Sequence, residues 1–546
     1  MRAALIDGYI DEPASLGVPP YISQRVRAIA GILFSRGIDV DYHTIDEVRK
    51  KELWGAFNEY DYLILHGGLT TPGHYVGGTP ASLSEFEKLL SLNNHPVKII
   101  EGPIVVGYSL KGGRKAREIS FGQADVLFSK ELELAEYFGI ETGKDYYELM
   151  NEFYRLGAAI IPQHPGYPDV IIEFDISSGC ERQDGFCSFC TESLFYGRFK
   201  SRDLKGIVRE LEALKTVGVK AVRFGRSANV IAYGYDGKKK LPNPEAVETL
   251  FRVTSELLRP EVLHIDNGNP IFIAKHRKDA IKILESIVKY DTPGDTISFG
   301  VESFDPVVRQ MNGIGGTAEE IIDAIKLVNE IGNVRIDGIP KLLPGINLLY
   351  GLPGTTKRTF EIDFAMLKKI LEDGLIIKRL NIRQVMVFPD TPLSKQRLPK
   401  INRSLFEKHK RTIRSSIDNQ MIRRVFPVGA IIRRVIPEFK RGALSFGRPL
   451  GTYPILIGTY APFDRPTDMV VIDHGIRSIT AIPLHSNLNS MDIKVLESIP
   501  GIGKNRATSI LLKRPFTSWK EVESSLGKEV SETLRKIGVI IQEGLT

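Results

Sequence analysis

Cysteine is almost missing from these 546 residues: three occur, and all of them fall between Cys180 and Cys190. An odd cysteine count without a secretory leader argues against a disulfide framework. Buried cysteines placed independently as small apolar core residues would rarely cluster so tightly. Long hydrophobic runs are also lacking. The N-terminal apolar run meets Asp7 and Asp11 almost at once, and nothing later reaches membrane-spanning length, so a cytoplasmic protein with no membrane partner is expected. A third absence is the dinucleotide fingerprint, because the first apolar run ends in Asp7-Gly8-Tyr9 with no G-x-G-x-x-G behind it.

Positive charge is present but uneven. The chain carries a net charge of +7, whereas residues 401–450 alone hold twelve Lys or Arg against Glu407, Asp418 and Glu438, a local excess of +9. The remainder is therefore slightly acidic, and the basic segment is the part expected to meet a polyanion. A solvated charged face is the plainer alternative.

The length predicts several domains in an α/β chain. Residues 1–150 alternate apolar runs at Ala3–Ile6, Tyr62–Leu65, Val97–Ile100 and Val126–Phe128 with helix-period segments such as Val26–Phe34. That alternation predicts a Rossmann-like doubly wound domain, more scaffold than site. His66-Gly67-Gly68 and His74 follow one of its strands, and unpaired loop histidines of this kind are usually structural. Prolines and glycines between 151 and 170 predict a linker. From 165 to 400, strand-like runs at 170–175, 221–224, 262–265, 296–300, 346–351 and 382–388 alternate with helical segments, which predicts a parallel partial (β/α)6 barrel with its chemistry at the strand C-termini. Residues 401–487 predict a basic helix and a β-rich domain with strands from Val425, Pro454 and Met469. Residues 488–546 are helical again.

The spacing Cys180-x6-Cys187-x2-Cys190 places three thiolates on one loop at a strand end, with Gly179 and Gly185 allowing the backbone to bend around a bulky ligand. A 4Fe-4S cluster so held keeps one iron open to a small molecule. Zinc would need a fourth donor, and the nearest histidines in sequence are His164 and His264. A Cys187–Cys190 redox disulfide would leave Cys180 unexplained.

The triplet, with Phe189 before its last cysteine, resembles the cluster loop of the radical S-adenosylmethionine (radical SAM) superfamily, although the first spacing is six rather than the commoner three. Gly300-Val301-Glu302-Ser303-Phe304, Leu349-Tyr350-Gly351-Leu352-Pro353 and Gln384 to Leu393 resemble the fourth, fifth and sixth strand segments of that family. The resemblance implies a 4Fe-4S cluster on Cys180, Cys187 and Cys190, fed by an electron donor, and reductive cleavage of S-adenosylmethionine (SAM) to a 5′-deoxyadenosyl radical. It implies SAM contacts from Phe189 on the adenine, from the strand end Phe224-Gly225-Arg226-Ser227, and from Asn267, Glu302, Ser303, Gly351 and Gln384. Arg226, Asn229, Asp266 and Asn269 add polar groups at the expected mouth. The N-terminal domain is similar to the cobalamin-binding domains of many such enzymes but lacks their Asp-x-His-x-x-Gly motif. Methylthiotransferase relatives carry a further cysteine set that this chain lacks.

Pro500-Gly501-Ile502-Gly503-Lys504-Asn505-Arg506 looks like a helix-hairpin-helix, in which Gly501, Gly503, Lys504 and Arg506 would receive a phosphate. Arg433 and Arg434 in the basic segment are further candidates for nucleic-acid contact. Such hairpins also dock proteins. The whole order of domains resembles archaeal radical SAM proteins with a C-terminal helix-hairpin-helix, a group that includes the radical SAM subunit of archaeosine synthase. That resemblance implies a lyase acting on tRNA, cleaving a C–N bond in the lysine adduct of the position-15 deazaguanine, with a lysine-transferring subunit as partner. The alternatives are a radical SAM methylase or other RNA base modifier, and a non-catalytic nucleic-acid-binding iron–sulfur protein.

Overall fold

A computed structural model describes residues 1–12, 15–68, 77–92, 95–109, 112–182 and 184–541, so His74 lies outside the described residues. The first strands are short apolar runs, and they pair in parallel: Asp39–Thr44, Arg2–Asp7, Tyr62–His66, Val97–Glu101 and Val126–Phe128 lie side by side in that order. This is the 2-1-3-4-5 order of a doubly wound sheet.

The linker expected at 151–170 is confined to the turn at 164–170. Residues 151–157 continue the helix Tyr146–Gly157, which runs into the 3-10 turn Ala158–Gln163. The helix crosses Gln24–Ser35 so closely that a Cβ on Gly31 would fall on the Phe153 carbonyl, and one on Gly157 on the Arg27 carbonyl. Gly157 thus serves close approach rather than flexibility. One hydrophobic core runs without a break from Leu5 and Val26 through Tyr154 to Phe174 and Leu211.

Six parallel strands follow in barrel order: Ile171–Asp175, Ala221–Arg226, Val262–Ile265 (continued by Asn267–Gly268), Asp295–Glu302, Leu342–Tyr350 and Arg379–Gln384. The N-terminal unit supplies backbone to both edges of this open barrel. Tyr21–Ile22 pairs with Ile171–Ile172, and beyond the sixth strand Gly113 donates to the Val385 carbonyl at 2.7 Å while Val387 donates to that of Arg114 at 3.0 Å. The sixth strand ends at Gln384, earlier than expected: Val385 still donates to the Tyr350 carbonyl at 2.8 Å, and from its own carbonyl onward the backbone pairs with residues 113–116 instead.

Helix Arg403–Ile413 continues through a π-turn at Arg414–Asp418 into Asn419–Val425. Val425, expected to start a strand, is the last residue of that helix, because Met421, Ile422 and Val425 recur at helical spacing and are buried. Five strands between Ile431 and Pro483 close into a small barrel. Four short helices, Ile493–Ser498, Lys504–Lys513, Trp519–Leu526 and Lys528–Lys536, pack against it through Val470, Ile472 and Ile482. Among the described residues no helix is long and apolar enough to cross a membrane.

Candidate active site

Strand ends, turns and three separate units enclose one cavity of about 1100 Å³ at the heart of the barrel. Cys180, Cys187 and Cys190 all line it. The loop that carries them is pinned at both ends. Cys180 donates its N–H to the Gly197 carbonyl at 3.1 Å and accepts from Phe199 at 3.1 Å, while Ser188 donates to the Asn312 carbonyl at 2.9 Å and accepts from Leu393 at 2.8 Å. Arg182 bridges the Cys187 sulfur at 3.3 Å and the Gly313 carbonyl at 2.6 Å.

Gly179 opens the loop at φ +75°, and a Cβ there would fall on the Arg198 carbonyl oxygen. Gly179→Ala is expected to leave the fold intact but to lower bound iron per chain severalfold, measured as iron content and 400 nm absorbance after anaerobic reconstitution. Full iron loading of the variant would show that the loop tolerates another path.

Burial raises all three thiols; repulsion from the neighbouring thiols adds to it at Cys180 and Cys190, the latter pushed up to about 12, while Arg182 opposes it at Cys187. Thiolates crowded in so dry a loop need a cation to hold them, and ligation to iron deprotonates a thiol outright. Among the described residues no three His, Cys, Asp or Glu side chains converge on a single-ion site. Three thiols lining one cavity, with no fourth cysteine in the chain, fit a cubane with one open iron rather than a tetrahedral zinc.

Of the residues expected to contact SAM, Phe189, Asn267, Glu302 and Gln384 line the same cavity. Phe189 packs beside Val308, Leu352 and Val385. Asn267 donates to the Ser227 carbonyl at 3.1 Å. Glu302 sits at φ +61° on its strand end, and burial raises its carboxyl to about 7 against the opposing pull of Arg309 and Arg383.

The others lie off the cavity. Phe224 is buried against Phe174 and Phe251, because strand alternation sends it outward to the helices while Arg223 and Gly225 face inward. A Cβ on Gly225 would strike the Glu173 carboxylate. Ser303 alternates with Glu302 in the same way and donates to Asp363 at 3.0 Å. Ser227 bonds Ser177 at 2.5 Å. Gly351 is a turn glycine at φ +96° beneath Ile401. Arg226 is buried beneath Tyr196 and pairs at 3.0 Å with Glu192, which in turn accepts from the Gly179 N–H at 2.8 Å. It positions the cysteine loop rather than touching the cavity.

Several lining residues carry no motif. Glu181 accepts from Asn229 at 2.9 Å and Asn269 at 2.7 Å, tying the cysteine loop to the second and third strand ends. Acids flanking a cysteine triplet, Glu181 and Glu192, were a usable signal. Tyr453 had none: it reaches in from the small β-barrel, donates to Asp266 at 2.8 Å and lies beneath the Arg379 guanidinium at 3.3 Å. Asp266 also pairs with the buried Arg223.

At the far end of the chain, Gly501 and Gly503 have nothing within 4 Å of a Cβ position, Lys504 is exposed, and Arg506 donates to the Gly501 carbonyl at 2.6 Å. Arg433 and Arg434 are not free to meet an anion. Arg433 pairs with Asp337 and Asp468 at 2.8 and 2.7 Å, and Arg434 with Asp169 and Glu261 at 2.8 and 2.9 Å. Both clasp the small β-barrel to its neighbours.

Residues 175–367 match the model of the radical SAM superfamily. An uncharacterized protein of Methanocaldococcus jannaschii is 40% identical over 505 residues, covering 88% of this chain and 92% of its own length. The ribosomal protein uS12 methylthiotransferase of Thermosipho melanesiensis is 26% identical over 263 residues, 44% of this chain and 56% of that protein. Among solved structures, the radical SAM methyltransferase TsrM of Kitasatospora setae, 13% identical, overlays 72% of this chain and 75% of its own with a TM-score of 0.44. With three thiols on one loop at the end of the first barrel strand, and a family match that runs from that strand end into helix Lys357–Glu372 after the fifth strand, residues 175–367 form a radical SAM superfamily domain, whose cofactors are a 4Fe-4S cluster and S-adenosylmethionine.

Proposed function

We propose that this radical SAM enzyme modifies a nucleotide in RNA, and that its substrate is tRNA carrying a lysine adduct on the position-15 deazaguanine, which it cleaves at a C–N bond to form archaeosine. The observation that carries the RNA reading is the bare turn at Gly501–Gly503, whose backbone faces solvent at the start of helix Lys504–Lys513 beside Lys504 and Arg506. The choice of base and adduct rests on the resemblance alone. Methylthiotransfer, the reaction named for the Thermosipho relative, fits less well with a single cysteine triplet.

When bound, the cluster and SAM supply one-electron cleavage of a C–S bond and, with it, abstraction of a substrate hydrogen. This chain's residues do the rest. Cys180, Cys187 and Cys190 hold the cluster, Arg182 and the Arg226–Glu192 pair fix their loop, and Phe189 offers an apolar face for an adenine ring. Glu302, whose carboxyl burial raises to about 7, is placed to take a hydroxyl or amine hydrogen bond in either protonation state. The small β-barrel closes the chamber with Tyr453, which keeps water from a reactive carbon centre.

Anaerobic incubation of reconstituted enzyme with SAM, a strong reductant and tRNA bearing the adduct should give 5′-deoxyadenosine and archaeosine in equal amounts by nucleoside mass spectrometry. Deoxyadenosine formation that ignores every tRNA tested would sink the RNA reading. Turnover on a different nucleoside would remove only archaeosine.

A further inference from the structure

The +9 segment is not spent evenly. Arg433, Arg434 and Arg448 have carboxylate partners, and Arg424 donates to main-chain carbonyls of Leu371 and Leu375. The cations on helix Arg403–Ile413 and its π-turn are arranged differently. Lys410 and Arg414 sit one helical turn apart on the same face, a like-charge spacing that destabilises a helix. Each is half-buried, and each feels the exposed Arg477 of the small barrel; Lys410 also feels Arg383 of the sixth strand. Glu407 and Asp418 are the acids in reach of Lys410 and Arg414, and Asp418 is engaged by Arg477 at 3.3 Å; Arg383 donates to Asn381 at 3.1 Å and pulls on Glu302.

Arg383 and Lys410 line the reaction cavity, whereas the Arg477 side chain is 50% exposed. The row therefore leads from solvent into the chamber, across three units that no local sequence pattern connects. A π-turn lies in the middle of it, and such turns recur at functional sites. Folding gains nothing from stacking like charges in a half-dry groove; an anionic polymer lying along it would relieve the repulsion.

We propose that Arg383, Lys410, Arg414 and Arg477 form a phosphate track that leads a polynucleotide backbone from the surface to the cavity mouth. This rests on the RNA reading above and assigns the surface that delivers the substrate. The helices after Ile493 would hold a more distant part of the same molecule, so the track is the contact that sets which nucleotide reaches the chamber. A polynucleotide is favoured over an acidic protein because its backbone carries a phosphate at every residue, so one strand can meet cations both at the surface and at the cavity mouth.

The test measures binding of unfractionated tRNA to the reconstituted full-length enzyme across a series of KCl concentrations. The conservative pair Lys410→Gln/Arg414→Gln is compared with wild type and with Lys278→Gln/Lys282→Gln, two exposed lysines on the outer helix Arg277–Tyr290. The track pair should weaken binding about tenfold at low salt and flatten the log–log salt slope by roughly 1.5, while the outer pair changes neither. Thermal melts of each variant report whether the fold survives. If the track pair unfolds, Lys410→Gln alone, expected to flatten the slope by roughly 0.7, takes its place. A wild-type protein that binds tRNA with a slope the track variants leave unchanged overturns the track and spares the RNA reading. A wild-type protein that binds no tRNA, or binds polyaspartate equally well, overturns both.

Discussion

Cys187→Ala enzyme is expected to come off an anaerobic reconstitution without the brown cluster absorbance and to form 5′-deoxyadenosine at least about 10³-fold more slowly than wild type, because the reaction's chemistry belongs to the cofactor the thiolate holds. Cys187 lines the cavity, and no other cysteine exists to replace it. The melting temperature of the protein without its cluster should change little, since the loop is held by main-chain bonds at Cys180, Ser188 and Cys190 that the substitution leaves alone. Arg182→Ala removes the 3.3 Å donor to the same sulfur together with the 2.6 Å bond to the Gly313 carbonyl, and should retain a cluster whose reduction potential is shifted downward by loss of a hydrogen bond and a positive charge. Cleavage of SAM at the wild-type rate by Cys187→Ala would end the account of this site.

The second large effect is on stability. Glu210 is buried between Arg27 of the N-terminal unit and Arg202 of the barrel, paired with both, the second at 2.5 Å; all three side chains are 0% exposed. Arg27 also donates to the Glu173 carbonyl at 2.8 Å, and Arg202 to that of Asp175 at 3.1 Å. Glu210→Gln leaves two guanidinium charges out of water without their counter-ion. It is expected to cost about 3–5 kcal/mol, read as a lowered urea midpoint, and to loosen the contact between the two units. A loss under about 1 kcal/mol would mean that water reaches these arginines. The same cluster explains why residues 151–157 are helix and not linker: helix Tyr146–Gly157 is sandwiched between the two units, and Asn151 accepts from Arg202 at 2.6 Å.

Both predictions depend on side chains whose importance differs in how it can be read. Cys187 announces itself, since a short loop of cysteines is a local pattern that ligand chemistry constrains. Glu210 looks like any acid on the amphipathic helix Leu204–Thr216, and only the packing of two units makes it a buried counter-ion. Phe224 and Ser303 mislead for a related reason. Their neighbours Gly225 and Glu302 face the interior, and the two-residue period of a strand sends the adjacent side chain to the opposite face.

The basic segment gives a further contrast. Its excess charge is legible by counting, but counting cannot tell a clasp from a docking surface. Arg433 and Arg434 meet carboxylates at positions 169, 261, 337 and 468, brought together by the closed barrel, whereas Lys410 and Arg414 face each other and Arg477 as well as Glu407 and Asp418.

Sequence by itself determined the alternation of strands and helices, the order of the units and the thiol triplet, because apolar periodicity and ligand spacing act over a few residues. The tertiary structure decided which way each strand-end residue points, how the N-terminal unit covers both edges of the open barrel, and that Tyr453 floors the chamber. Those depend on distances between residues up to 432 positions apart, as in the hydrogen bond from Tyr453 to Tyr21. Such contacts arise from packing shape and buried charge balance, and neither is written in any short stretch of chain.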